Sequence, residues 1–209
     1  MDHLQQLIER YPRLEPLRLD INNAYQTIAE SFANNGKLLI AGNGGSAADA
    51  GHIVGELMKS FVKKRNLPAD FTGKIMEIDP EIAAYLVPRL QGALPAIDLS
   101  CHASLNTACI NDIDGDITFA QQVNGYGKKG DVFLGISTSG NSQNILYAAV
   151  TAKAKGLKII ALTGCDGGRL KEAADVSIIV PEKETYKIQE LHLPVYHCLC
   201  LMLEEHFFP

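Results

Sequence analysis

Five short apolar runs, separated by longer stretches of helical period, constrain the fold of this chain more than any other feature. The runs cover residues 37–41, 95–100, 131–137, 158–164 and 176–180. Each is rich in Ile, Leu or Val, and most are bounded by Gly, Asp or Pro, which is typical of strands buried on both faces. The helical stretches between them include residues 21–34, 46–63 and 141–155. This alternation predicts an α/β fold, flavodoxin-like, with a doubly wound five-stranded parallel sheet and helices on both faces.

The chain is predicted to form one domain over residues 1–209, because no repeat, low-complexity segment or linker interrupts it. Helices are expected in residues 1–35, before the first strand. A long terminal helix is expected over residues 184–208. Pro194 lies inside this helix, where it removes a backbone donor and favours a kink.

Charge and cysteine content exclude several classes of protein. The net charge is −5, and no basic run is longer than residues 63–65, so a nucleic acid is not expected as the main ligand. No stretch approaches the roughly 20 apolar residues of a membrane span, and residues 1–30 contain no signal peptide. The five cysteines lack a zinc-finger spacing and are interpreted as reduced thiols. A cytoplasmic protein without a membrane partner is therefore expected.

The loop after the first predicted strand is rich in glycine and opens a helix. Gly42, Asn43, Gly44, Gly45 and Ser46 follow one another here, and such glycines let the backbone approach a ligand closely. The spacing of Gly42, Gly44 and Ala47 also fits the dinucleotide fingerprint. That fingerprint requires a second strand ending in an acidic residue about 20 positions on, whereas residues 58–65 are helical in pattern and basic. A phosphate-binding loop is favoured.

The loop after the third predicted strand carries four hydroxyls in six residues. Ser137, Thr138, Ser139 and Ser142 surround Gly140 just before an alanine-rich helix. Hydroxyls and free N–H groups at a helix N-terminus form a phosphate cradle that needs no lysine. The alternative is a helix cap by Ser139 or Ser142, but one hydroxyl is enough for a cap.

These motifs, with two further ones, resemble those of a known family. Residues 43–50 and 135–142 are similar to the two loops of SIS (sugar isomerase) domain proteins, and residues 161–168 and 187–192 extend the likeness to the phosphoheptose isomerase branch. The resemblance implies a single SIS domain that binds a phosphorylated sugar. It also implies a homo-oligomer, either a dimer or a tetramer, with sites at subunit contacts.

The resemblance also implies roles for individual residues. Phosphate contacts are expected from the glycine-rich loop and from the hydroxyl loop, through residues Asn43, Gly44, Gly45, Ser46, Ser137, Thr138, Ser139 and Ser142. Asp112 matches an acidic position beside the sugar hydroxyls, and Gln189 is expected to contact substrate. The acid and base of an aldose–ketose isomerisation through an enediol correspond to Glu56 and His197, and the favoured substrate is sedoheptulose 7-phosphate.

A metal site is suggested by spacing and by the resemblance. His52 and Glu56 are four residues apart on one face of a predicted helix, and Gln189 and His197 lie on the terminal helix. Such a His–Glu pair is often only a surface hydrogen bond, and a histidine in an apolar stretch is often a satisfied core residue. The four positions coincide with the zinc ligands of phosphoheptose isomerases, so the resemblance implies one zinc ion per site. No role is expected for His3, His102, His192 or His206.

The chain departs from the family at an extra segment of about residues 65–93, between Glu56 and Asp112. We expect this segment to form a lid or a subunit contact. Ser60 and Tyr186 also replace the arginine and the acidic residue that the family often has there. The alternative function is a non-catalytic SIS module that senses a phosphosugar or binds a protein. Retention of the four acid–base and metal positions favours the enzyme.

Overall fold

The computed structural model describes residues 2–209 as ten α-helices around one sheet. The strands are β1 (Leu38–Ala41), β2 (Ala96–Asp98), β3 (Val132–Ser137), β4 (Lys158–Thr163) and β5 (Val176–Ile179). The helices are α1 (His3–Arg10), α2 (Arg18–Ala33), α3 (Gly45–Met58), α4 (Ala69–Ile78), α5 (Pro80–Leu86), α6 (Ala103–Asp112), α7 (Thr118–Tyr126), α8 (Gln143–Ala154), α9 (Gly168–Ala173) and α10 (Thr185–Phe207).

The sheet is parallel throughout, with strand order β2-β1-β3-β4-β5. This is the flavodoxin-like order, in which the chain winds outward in both directions from the β1–β3 pair. Ala41 at the end of β1 lies opposite Gly135 in β3. The five predicted strands are therefore confirmed, each within two residues of its predicted ends.

The core has two layers because successive residues of each strand face opposite sides of the sheet. Leu38 and Ile40 of β1 pack in a cluster with residues of α1, α2, α3 and α10. Leu39 and Ala41 pack in a second cluster with residues of α7, α8 and α9. Helices cover both faces, as the sequence predicts, and α10 runs unbroken past Pro194.

The predicted helix over residues 46–63 is wrong at its end. Helix α3 stops at Met58, and Lys59 is extended. The carbonyl of Leu57 accepts hydrogen bonds from the Arg65 guanidinium and from the Leu94 N–H, so long-range donors replace the next helical turn. Only the tertiary structure supplies these donors, and the pattern of apolar residues could not reveal them.

The extra segment forms the two short helices α4 and α5, which contact each other. No residue of α4 is buried, and Ala83 is the buried residue of α5. Large apolar side chains are exposed on this pair, with Ile78 at 85% exposure and Tyr85 at 63%. The pair therefore adds little to the core of the domain.

No helix of residues 2–209 is long and apolar enough to cross a membrane. All five cysteines are free thiols, and three of them, Cys109, Cys198 and Cys200, are buried. This agrees with their interpretation as reduced residues.

Candidate functional site

The two predicted phosphate loops lie side by side where β1 and β3 end. The β1–β3 pair is the point at which strand order reverses, and open α/β sheets bind ligands in that crevice. Asn43 after β1 and Asn144 in α8 exchange two amide hydrogen bonds of 2.9 Å each. This reciprocal pair fixes the two loops against each other, so both helix N-termini open on the same crevice.

Side chains of the hydroxyl loop after β3 contact one another and the loop backbone. The Ser137 and Ser142 hydroxyl oxygens are 3.0 Å apart, and Ser137 is buried. The Ser139 hydroxyl accepts the Asn141 N–H at 3.2 Å. Ser142 is the N-cap residue of α8, yet its side chain makes no capping hydrogen bond to the described residues of that helix. The capping alternative therefore does not account for the four hydroxyls, which remain grouped at the start of α8.

A third loop, after β4, braces the hydroxyl loop from behind. The Gly164 N–H donates to the Thr138 carbonyl at 3.1 Å, and the Leu170 N–H donates to the Gly140 carbonyl at 2.9 Å. Gly140 has φ of 64°, and a Cβ atom there would collide with the backbone of Gly167. Only glycine permits this close contact between the loops.

The glycine-rich loop turns tightly into α3. Gly44 has φ of 55°, which favours glycine, and the Ser46 N–H donates to the Asn43 carbonyl at 3.0 Å. A Cβ atom on Gly45 would collide with the Gln189 amide, so that side chain of α10 lies over the N-terminus of α3. Gln189 is thus placed at the glycine-rich loop.

The predicted acid–base residues meet at the other end of α3. Glu56 Oε1 lies 3.3 Å from His52 Nε2, and Glu56 Oε2 lies 3.2 Å from Lys59 Nζ. The rings of His52 and His197 are perpendicular, with centroids 4.9 Å apart. Burial, reinforced by the neighbouring His52, lowers the pKa of His197, and its buried Nε2 has no hydrogen-bond partner among residues 2–209. His197 therefore has a buried, unpaired ring nitrogen and lies against His52, which in turn contacts the Glu56 carboxylate.

His52 is held by hydrogen bonds that connect it to Tyr196 and, through Tyr196, to Asp49. The Tyr196 hydroxyl lies 2.9 Å from His52 Nδ1 and 3.3 Å from Asp49 Oδ1. Burial raises the pKa of the Asp49 carboxyl and that of the Tyr196 hydroxyl. Neither Asp49 nor Tyr196 is predicted from the sequence. The spacing of Asp49, His52 and Glu56 places all three on one helical face, and this could have indicated Asp49. No local sequence pattern indicates Tyr196.

The four predicted zinc ligands are only partly brought together. His52, Glu56 and His197 are neighbours, whereas Gln189 contacts Gly45. Within residues 2–209, no three His, Cys, Asp or Glu side chains are placed so that they could hold a metal ion. The donor types suit zinc. As arranged within one chain, the four side chains do not converge on a single ion.

Asp112 is at the C-terminal end of α6. It is exposed and accepts a hydrogen bond of 2.7 Å from Asn111. No hydrogen bond of the part of the chain described joins Asp112 to either strand-end loop. Its expected contact with the sugar stays a prediction.

Known proteins resemble this chain over nearly its whole length. The phosphoheptose isomerase of a Nitratiruptor species is 42% identical over 193 residues, covering 92% of this chain and 89% of that protein. The chain belongs to the phosphoheptose isomerase family. A family model described as the SIS domain also matches residues 73–164.

Two solved structures of the family share the fold. Phosphoheptose isomerase from Neisseria gonorrhoeae is 32% identical with a TM-score of 0.75, covering 97% of this chain and 95% of that chain. Phosphoheptose isomerase from Francisella tularensis is 30% identical with a TM-score of 0.77, covering 96% of this chain and 94% of that chain. The predicted resemblance, fold class and enzyme class are confirmed.

Proposed function

We propose that this protein isomerises sedoheptulose 7-phosphate to glycero-manno-heptose 7-phosphate, an aldose–ketose interconversion through an enediol. One observation carries the proposal. This member of the phosphoheptose isomerase family has both the hydroxyl-lined crevice at β1 and β3 and a candidate base and acid, Glu56 and His197, that each lie against His52. A phosphosugar-binding module without catalysis would need only the first of these.

The phosphate is proposed to bind where α3 and α8 begin. Backbone N–H groups and the helix dipoles attract an anion there, and the hydroxyls of Ser46, Ser137, Ser139 and Ser142 can donate to its oxygens. The crevice needs no lysine, which agrees with the acidic net charge of the chain. The Asn43–Asn144 pair keeps both helix N-termini aimed at one phosphate.

The proton is proposed to move through Glu56 and His197. Glu56 accepts the proton from the carbon next to the carbonyl and can return it to the neighbouring carbon. The neutral His197 imidazole can donate a proton to the carbonyl oxygen as negative charge develops there, and it recovers a proton from the hydroxyl of the neighbouring carbon as that carbon becomes the new carbonyl. His52, held by Tyr196, orients the Glu56 carboxylate.

The separation of these two regions supports the proposed homo-oligomer. Glu56 lies eleven residues after Gly45 on α3, about 16 Å along the axis at about 1.5 Å per residue. A heptose phosphate bound at the N-terminus of α3 would have to extend along most of this length to reach Glu56. A complete site is therefore proposed to combine the phosphate loops of one subunit with the acid–base pair of another, in a dimer or tetramer.

Substituting Glu56→Gln tests the proposed function. The glutamine keeps the shape of the side chain but cannot accept the proton, so turnover of sedoheptulose 7-phosphate should fall by about 10²–10⁴-fold. Affinity for the phosphosugar, measured as a thermal shift at increasing concentration, should change far less because the phosphate contacts remain.

Glu30→Gln, an exposed glutamate on α2, is the matched control and should leave turnover unchanged. Undiminished turnover in Glu56→Gln would contradict the role of Glu56. If the unsubstituted protein binds phosphosugars but isomerises none, the chain is a sensor and the proposal is wrong.

Zinc binding remains a prediction about the same residues. Elemental analysis of the purified protein and of Glu56→Gln, in parallel with the rates, tests it. Lost turnover with unchanged metal content would support proton transfer by Glu56, whereas loss of both would support a ligand role.

A further inference from the structure

A buried ion pair outside the acid–base pair ties three separate segments together. Arg65 and Glu204 are each 1% exposed, and Arg65 Nε donates to Glu204 Oε1 at 2.7 Å. The ring of Phe208 lies over the guanidinium, 5.0 Å from ring centroid to Cζ. Buried charges are retained only with full hydrogen bonding, and here both partners have several further contacts.

Arg65 caps the C-terminus of α3 next to Glu56, the predicted base. Its Nη1 donates to the Leu57 carbonyl at 2.6 Å, and its Nη2 donates to the Glu56 carbonyl at 2.7 Å. These carbonyls belong to the last turn of α3, where helical donors run out and a cation is favoured by the dipole. The guanidinium therefore fixes the backbone of Glu56 itself.

The glutamate holds the segment that covers His197. Glu204 Oε1 accepts the Phe61 N–H at 2.8 Å, and Oε2 accepts the N–H groups of Val62 and Lys63. Burial by itself would raise the pKa of the Glu204 carboxyl, but these bonds and the Arg65 guanidinium outweigh it and lower that pKa. The Phe61 ring, fixed in this way, lies against the ring of His197 with centroids 5.4 Å apart.

We propose that the Arg65–Glu204 ion pair is a positioning device for the reaction. It sets the Glu56 carboxylate relative to His197 by fixing the backbone of Glu56 and the ring of Phe61. The proposal rests on the proposed function, since it assigns a role relative to that acid and base. Neither residue touches the substrate. A planar guanidinium is required because one ammonium group cannot reach two carbonyls and a carboxylate together.

Substituting Arg65→Lys tests this role. We expect kcat to fall by about 10-fold to 100-fold while KM changes by less than about twofold, because misplacing the reacting groups slows the chemical step and leaves the phosphate contacts intact. Glu204→Gln, which keeps the shape but not the charge, should act in the same direction. Thermal unfolding confirms that each variant is folded at the assay temperature.

Lys37→Met is the matched control. Lys37 Nζ pairs with buried Asp131 at 2.5 Å, and that carboxylate also accepts backbone N–H groups, but the pair lies at the amino ends of β1 and β3. This variant should lose stability without losing kcat. Equal losses of kcat in Lys37→Met and Arg65→Lys, or unchanged kcat in folded Arg65→Lys and Glu204→Gln, would overturn the proposal.

A second measurement separates this proposal from the proposed function. The imidazole NMR signals of His197 should move in Arg65→Lys and stay in place in Lys37→Met. If the unsubstituted protein isomerises no phosphosugar, the proposed function fails, and the signals still test whether the ion pair sets the position of His197. Signals that stay in place in Arg65→Lys would then reject it.

Discussion

At the scale of single residues, the hydroxyls of the loop after β3 differ in their exposure and in their contacts. Ser137 is buried and lies within hydrogen-bonding distance of Ser142, whereas Ser139 is exposed and accepts a backbone N–H. Both hydroxyls can still donate to a phosphate. The loop itself is braced by backbone bonds from the loop after β4, so it does not depend on the hydroxyls for its shape.

The double substitution Ser137→Ala with Ser139→Ala should therefore weaken phosphosugar binding and leave the fold intact. We expect a loss of about 2–4 kcal/mol in binding free energy, taking about 1–2 kcal/mol for each lost bond to a charged group. Isothermal titration with sedoheptulose 7-phosphate measures it.

A suitable control is Ser31→Ala, which removes one buried hydroxyl that donates to the Gly130 carbonyl at 2.7 Å. This bond lies near the amino end of β3, at the opposite end of the strand from the hydroxyl loop. Its affinity for the sugar phosphate should be unchanged. Normal affinity in the double variant would show that the phosphate binds elsewhere.

At the scale of elements, α4 and α5 are the part of the chain least committed to the core. The two ends of the segment that carries these helices are joined by a hydrogen bond of 2.9 Å from the Gly92 N–H to the Arg65 carbonyl. In addition, Gln91 Oε1 accepts the Ser60 N–H at 2.9 Å. The exposed apolar residues of this pair, such as Ile78 and Ile82, are suited to a contact with another subunit.

Replacing residues 66–91 by a short Gly-Ser linker should change assembly or substrate preference more than stability. Because Arg65 and Gly92 are already adjacent and α4 buries no residue, the unfolding free energy should change by about 1 kcal/mol or less. Sedimentation velocity reports the assembly, and turnover of several sugar phosphates reports the preference.

The double substitution Ile78→Ser with Ile82→Ser keeps the helices and removes only apolar surface. If the surface is a subunit contact, this variant should dissociate as the trimmed protein does. A trimmed protein with unaltered assembly, substrate range and turnover would make the segment dispensable.

At the scale of the whole molecule, one buried histidine links stability to pH. His192 is fully buried in α10, and its Nε2 lies 3.2 Å from the Thr163 carbonyl. Burial lowers the pKa of His192 to about 4. An unfolded histidine has a pKa of about 6.5, so between these values the unfolded chain binds more protons than the folded protein. The contribution of His192 is complete above about pH 6.5 and falls as pH drops towards 4.

Replacing His192→Gln should therefore flatten the pH dependence of stability. Glutamine can still donate to Thr163 but does not titrate. Between pH 7 and 4, the unfolding free energy of the variant should therefore fall by less than that of the unsubstituted protein, with a difference on the order of 3 kcal/mol. Urea unfolding at a series of pH values measures this. His102→Gln, a half-exposed histidine, should keep the slope of the unsubstituted protein. Identical slopes for His192→Gln and the unsubstituted protein would contradict the assignment.

The sequence by itself determined the strands, the class of fold and the places of the two loops that are predicted to bind phosphate. Runs of apolar residues report burial on both faces wherever they occur, and a glycine or a cluster of hydroxyls at a strand end is a local signal. The ends of β1, β3, β4 and β5 follow from such signals. The likeness of the loops was also enough to predict the family.

Only the tertiary structure decided where α3 ends, how the loops are joined and what surrounds the acid–base pair. Arg65 meets Glu204 across 139 positions of sequence, and Tyr196 meets His52 across 144. No periodicity encodes such contacts, because they arise when α10 packs against α3. The sequence names the candidate acid and base, whereas their positions are fixed by partners that are close only in the folded chain.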